Sequence, residues 1–138
     1  MDRELRQVGR PLFTQKQAIG TSEMILWAAR APYLQANHAA LVDFMEDMLR
    51  VLQWYADPPN HEEAVDIVAK FTKQPRSYYD SWLFTKKDYF RDPEGLPNLN
   101  SLQANINTQQ QLGFLKTAFA VKKYADLSLF IQAAKRLQ

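Results

Sequence analysis

ANHAALVDFMEDMLRVLQWY, residues 36–55, decides the architecture of this chain. Leu41, Met45, Met48, Leu52 and Tyr55 recur at alternating steps of four and three, which places them on one stripe of an amphipathic helix. Val42, Phe44, Leu49 and Val51 widen that stripe, so the helix has to bury a broad face against something larger than one neighbouring helix. Asp43, Glu46, Asp47, Arg50 and Gln53 take the opposite side. Glu46 and Arg50 form an i,i+4 pair worth about 0.3 kcal/mol, which marks the solvent face and little more. Asn37 stands where an N-cap belongs, and Pro58 with Pro59 ends the helix near Asp57.

Downstream, the pattern predicts further helices. Asn60 followed by Glu63 has the spacing of a capping box, and Ala64, Val65, Val68 and Phe71 line one face of a second helix that runs to about Lys73, before Pro75. A third helix is expected from Arg76 to Phe84, dense in aromatic residues. Residues 86–100, KKDYFRDPEGLPNLN, read as a long loop punctuated by Pro93, Gly95 and Pro97. Asn98 or Asn100 then caps a fourth helix through Leu102, Ile106 and Leu112, with Gly113 as its C-terminal glycine. A last helix is expected from Ala125 to Leu137.

Upstream, residues 1–20 open with a charged segment, Asp2 to Arg6, and pass through Val8 to Phe13 around Pro11 into a polar connection ending at Gly20. Gly9 and Pro11 argue against a long element there. In TSEMILWAAR, Met24 to Trp27 form a continuous apolar run between Gly20 and Pro32. Such a run suits a short strand buried on both faces, although a buried helix has the same pattern. A buried strand needs partner strands, and no convincing second one exists in the sequence. The fold class is therefore predominantly α with one or two short strands.

At 138 residues with 46% apolar content, the chain has material for a packed core. Seventeen basic residues against fifteen acidic ones leave a net charge of +2, without runs, so charge gives no support to a nucleic-acid or membrane-surface role. No cysteine is present, which removes disulfides, thiol catalysis and thiolate metal sites together. No apolar run approaches the roughly 18–20 residues that span a bilayer, and the first ten residues lack the apolar core of a signal peptide.

The candidate chemistry is sparse. His38 and His61 each open a predicted helix but have no i,i+3 or i,i+4 companion of the kind metal sites use, so they read as surface residues. Asp43, Glu46 and Asp47 read as a solvated face, because catalytic carboxylate pairs need burial to separate their pKa values. Tyr78, Tyr79, Trp82, Tyr89 and Phe90 form an aromatic cluster that could stack on bases or sugars. Without basic residues interleaved on one face, core packing is the better reading. The amide-rich run Asn105 to Gln111 faces water or a groove. Gly20, Thr21, Ser22 and Glu23 precede the apolar run at the place where ligand groups sit in α/β folds. The same residues would equally serve as a plain turn into a strand.

The succession GTSEMILWAARAPYLQANHAALVDFMEDMLRVLQWYAD, EEAVDIVAKFTK, LQANINTQQQLGFLK, KKYADLSLFIQAAKRL resembles the C-terminal portion of ABC-transporter substrate-binding proteins of the nitrate, sulfonate and taurine class. The resemblance runs from about Leu12 to the end. It implies the C-terminal part of a two-lobed α/β periplasmic-binding-protein fold of type II, as a single partial domain over residues 1–138. Residues 1–35 would form the hinge and a returning strand at 24–28, and residues 36–138 the helical part of the first lobe. Residues 20–23 would then lie near hinge and cleft as the candidate ligand-binding set.

The implied function is solute binding for an ABC importer, with a small-molecule solute and an ABC permease as partners, no cofactor, no metal and no catalysis. An enzymatic offshoot in thiamine-precursor synthesis is a third option, for which no residue is visible. The alternative is a helical self-association or interaction module without a working cleft. The expected location is periplasmic within an exported precursor and cytoplasmic if the chain stands alone. An orphan strand and a wide apolar stripe further predict a homo-oligomer in isolation, a twofold dimer in the simplest case.

Overall fold

A computed structural model describes residues 8–10, 12–23 and 25–138. The expected charged segment Asp2 to Arg6, Pro11 and Met24 lie outside the described residues. The chain is mostly helical, and among the described residues there is no strand. Six α-helices are described: α1 (Gln15–Ile19), α2 (Ala31–Ala36), α3 (His38–Ala56), α4 (His61–Thr72), α5 (Leu99–Gln111) and α6 (Ser128–Arg136), with single 3₁₀ turns at Pro58–Asn60, Arg76–Tyr78 and Val121–Lys123. The backbone divides into two compact units, each built from two stretches of chain: Met1–Ala29 with Pro97–Asp126, and Arg30–Leu96 with Leu127–Gln138.

The second of these units is organised by α3. Its buried residues are Val42, Met45 and Leu49, spaced three and four apart, and they pack on Leu129 and Ala133 of α6. Leu34, Leu41, Phe130, Ala134 and Leu137 surround this cluster. The broad stripe expected on this helix is therefore buried only along one edge. Phe44, Met48 and Val51 remain exposed, because a single short helix such as α6 covers one narrow band of its partner. Gly95 closes the cluster from the loop side with a φ of 70°, and an added Cβ there would stand 2.8 Å from Phe130 and 3.1 Å from Leu49. Both the left-handed backbone and the space require glycine at this point.

The long helix starts at His38, directly after Asn37, and α2 precedes it as a separate turn-and-a-half with Pro32 in its first turn. The Asn37 side chain does not cap α3; its Nδ2 donates to the Tyr33 carbonyl at 2.9 Å and closes α2 instead, while its own carbonyl accepts the first amide of α3, from Leu41. Asn60 behaves in the same way. The expected capping box with Glu63 does not form, and Asn60 Nδ2 donates to the Trp54 carbonyl near the end of α3. In both cases the asparagine adds a second hydrogen bond to a terminal carbonyl of the preceding helix, one that already accepts a backbone amide, where an N-cap role for the following helix was expected. Helix α4 buries Ala64 and Val65, but Phe71, expected on the same face, is 87% exposed. Lys73, in the left-handed region at φ 55°, ends the helix.

The expected third helix is absent. Arg76–Tyr78 forms one 3₁₀ turn and the chain continues in turns to Asp88. Side chains take the hydrogen bonds that an α-helix would need: Asp88 Oδ2 accepts from the Phe84 amide at 2.8 Å, Thr85 Oγ1 donates to the Trp82 carbonyl, and Phe84 itself adopts φ 57°. The Asp88 carboxylate, its side chain only 1% exposed, also receives Arg91 at 2.8 Å. The Arg91 guanidinium lies over the rings of Tyr89, Phe84 and Tyr55 at 3.7, 5.2 and 5.5 Å, and Tyr55 stacks on Phe84 at 4.3 Å. This cation–π stack anchors the irregular segment to the end of α3. Burial there pushes the Tyr55 phenol above its ordinary pKa, against the opposing pull of Arg91.

Charges fasten the helices at their rims. Arg136 near the end of α6 reaches Asp43 at 2.6 Å and Glu46 at 3.4 Å, and Glu46 also takes the expected pair from Arg50. Arg76 meets Glu62 and Asp66 of α4, and Asp80 at 2.8 Å. Residues 25–28, expected as a buried strand together with Met24, are neither strand nor helix, and Ile25 is 81% exposed. A strand exists only by exchanging backbone hydrogen bonds with another, and no second strand occurs among the described residues.

Two measurements check this packing. In urea unfolding of the isolated chain, Leu49→Ala should cost about 2–5 kcal/mol and Phe71→Ala less than about 0.5 kcal/mol, since only the first leaves a cavity. The Arg50 hydrogen bond, aided by Arg136, holds the Glu46 carboxyl below its ordinary value of 4.5. A depressed carboxyl pKa adds stability in full above the unfolded value, lost as the pH falls through the folded one. The melting-temperature gap between wild type and Glu46→Gln should therefore be widest at neutral pH and close between about pH 5 and pH 2.

Candidate functional site

The residues singled out before the apolar run, Gly20, Thr21, Ser22 and Glu23, belong to the unit built on α1 and α5. Thr14 opens α1 with a reciprocal capping box: its hydroxyl accepts from the Gln17 amide, while Gln17 Oε1 accepts from the Thr14 amide at 2.7 Å. This helix was read from sequence as a polar connection, although the Thr-x-x-Gln spacing was there to signal it. Gly20 ends α1 at φ 77°, ψ −159°, a conformation that essentially only glycine adopts. The chain then turns back over α1, where Gln15 Nε2 donates to Ser22 Oγ at 2.7 Å.

Glu23 is the joint between this turn and α5. Its Oε2 accepts from the Asn98 amide at 2.8 Å, just before the first turn of α5, and its backbone carbonyl accepts from Asn105 Nδ2 at 2.6 Å. A carboxylate at a helix N-terminus is favoured by the helix dipole, so the contact has a stabilising sign. Asn98 also performs its predicted capping, its Oδ1 accepting from the Ser101 amide at 2.9 Å. At the other end, the φ of 80° at Gly113 lets the Phe114 amide bond to the Gln109 carbonyl, the expected glycine terminus. Further along the same helix, the Gln103 side chain donates to the Phe119 carbonyl and accepts from the Val121 amide, which holds the buried Val121 on α5.

Between α1, the turn and α5 lies an open cavity of about 170 Å³. Gln15, Ile19 and Ser22 form one wall, and Ala104, Asn105, Thr108 and Gln109 the other. Of the four predicted residues, Ser22 lines the cavity. Gly20 and Glu23 position its wall, and Thr21 is exposed beside it. The amide run of α5 supplies the other half, so the expectation of a groove along Asn105 to Gln111 and the turn at 20–23 refer to one place. Sequence reasoning missed Gln15, which carries no signal beyond polarity.

The remaining candidates fall elsewhere. Asp43 and Glu46 are engaged by Arg136, and Asp47 is exposed. His38 is exposed and His61 half-buried, and among the described residues no group of three or more His, Asp or Glu side chains is placed to hold a metal. In the aromatic cluster, Tyr79 meets Trp82 at 6.3 Å and donates to Thr72, whereas Tyr89 and Phe90 are exposed. A second groove of about 330 Å³, in the other unit, is lined by Tyr33, Asn37, Ala40, Leu41 and Phe44, and the Asn37 amide there is already bonded to the Tyr33 carbonyl. No helix among the described residues is long and apolar enough to cross a membrane.

No protein-family model, curated protein or solved structure matches the chain. The geometry at Glu23 can be checked directly. Glu23→Ala removes the acceptor for the Asn98 amide and should cost about 0.5–2 kcal/mol, in the range of lost helix caps, with faster hydrogen exchange at Asn98. Unchanged exchange at that amide would show that Glu23 does not join the turn to α5.

Proposed function

We propose that the chain is the C-terminal portion of a solute-binding component of an ABC importer, of the class that serves nitrate, sulfonates, taurine and related small solutes. It acts by holding a solute and delivering it to a permease, not by catalysis. The observation that carries this reading is the cavity beside residues 20–23, where the Ser22 hydroxyl and the amides of Gln15, Asn105 and Gln109 converge. Polar groups of this kind replace the hydration of a bound solute and define its orientation. The order of apolar and glutamine-rich segments resembling that class supports the same reading. So does the exposure of Ile25 in an apolar run that the class would cover with neighbouring strands. On this view residues 24–28 become a strand only beside the rest of a binding-protein lobe, and the mature protein works in the periplasm.

The test begins with the reading frame upstream of the first codon. It should continue into strand-forming sequence and an export signal, and the complete product should gain melting temperature with its solute as mass action requires. A stop codon immediately upstream would overturn the reading. One observation favours a second role, self-association of the isolated chain: Phe44, Met48 and Val51 lie exposed at i, i+4 and i+7 on one face of α3. Sedimentation velocity at micromolar concentration should then give a dimer, and a monomer at every concentration would remove this role.

A further inference from the structure

Between the buried Leu83 and the Arg91 stack the chain makes a tight turn. The Asp88 amide donates to the Thr85 carbonyl at 3.0 Å, so Lys86 and Lys87 are the two central residues of that turn, and both are exposed. Tyr89 and Phe90 follow, 65% and 84% exposed. The acidic residue of the run, Asp88, is turned inward. Its carboxylate accepts from the amides of Phe84 and Tyr89 at 2.8 Å each and pairs with Arg91. Along the sequence Asp88 offsets one of the two lysines; in the fold its charge is withdrawn from the surface and spent on Arg91.

The neighbouring acids along the chain are engaged as well. Asp80 pairs with Arg76 at 2.8 Å, and Asp92 Oδ1 accepts from the Glu94 and Leu96 amides. Glu94, four positions past Phe90, is the first acidic side chain after the turn without a partner among the described residues. Lys86 and Lys87 themselves make no ion pair among the described residues. The turn is also fixed from within: the Arg91 guanidinium lies over the Tyr89 ring at 3.7 Å and reaches the rings of Phe84 and of Tyr55 on α3. A partner therefore meets a surface already formed, and little ordering is left to be done on contact.

We propose that residues 86–90 form a contact surface for an anionic lipid bilayer, with Lys86 and Lys87 meeting headgroup phosphates and Phe90 entering the boundary with the acyl chains. Two unpaired ammonium groups beside an exposed phenyl ring complement a surface that is anionic outside and apolar beneath. A nucleic-acid strand is the poorer fit, because stacking on bases needs free ring faces, and one face of Tyr89 is already covered by Arg91. One ring and two cations give a weak, reversible attachment. The contact lies in the unit built on α3 and does not depend on what the cavity beside α5 holds.

Co-sedimentation of the 138-residue chain with vesicles tests this, using phosphatidylcholine alone and an equal mixture of phosphatidylcholine and phosphatidylglycerol at millimolar lipid and low salt. The chain should partition onto the mixed vesicles and not onto phosphatidylcholine, and should be released at about 1 M salt, where charges are screened beyond about 3 Å. Lys86→Gln and Lys87→Gln should each weaken partitioning about fivefold, and Phe90→Ala by about the same factor or more. Lys135→Gln, at an exposed lysine of α6, should leave it within about twofold of wild type. All four positions are exposed, so the variants keep the wild-type melting temperature. Equal partitioning onto both kinds of vesicle, a loss in Lys135→Gln as large as at the turn, or no partitioning at all would overturn the proposal. So would binding of a single-stranded oligonucleotide through the same three residues without vesicle binding.

Discussion

Ala133 and Leu129 on one side, Val42, Met45 and Leu49 on the other, make the contact on which the larger unit depends. A methyl group at Ala133 lets α6 approach α3 closely, and Leu49, fully buried, fills the space beside it. The contact joins segments far apart in sequence; the Asp43–Arg136 ion pair at its edge spans 93 positions. Forming it closes a long loop, which costs entropy that grows only slowly with length and is offset by burial of apolar surface. Of the chain between the two helices, residues 97–126 belong to the other unit.

Around that contact, polar side chains do much of the work that regular secondary structure does elsewhere. Asn37 and Asn60 close helices that precede them, Asp88 and Arg91 hold an irregular aromatic segment in place, and Gln103 ties the 119–121 backbone to α5. Asp88 and Gln103 supply partners to backbone groups outside regular elements, and the two asparagines add a second bond to carbonyls at helix ends. The core itself is small. Large apolar residues such as Phe71, Phe90 and Ile25 remain at the surface.

The candidate site follows the same logic. A turn containing a glycine-only conformation is clipped by Glu23 to the start of α5, and the clip brings the hydroxyl of Ser22 opposite the amides one and two turns along that helix. The result is a wall of neutral hydrogen-bonding groups held from several sides. Among the described residues that line it, the polar side chains are uncharged.

The sequence by itself determined the helices whose signals are local. The apolar period marked α3, α4 and α6; Asn98 and Gly113 marked both ends of α5; Glu46 and Arg50 met as spaced. It also singled out the turn at 20–23 and the amide run of α5, but as unrelated features. Only the tertiary structure decided which part of the α3 stripe is buried, because that depends on the width of α6 and not on α3 itself. It decided that residues 76–84 form turns, since Asp88 and Arg91 compete for them from outside the segment. It left residues 25–28 without a strand, because strand formation is a property of two segments and no partner strand occurs among the described residues. It joined Ser22 to Asn105 and Gln109, since the hydrogen bonds of Glu23 that connect them span 75 and 82 positions and leave no trace in any local window.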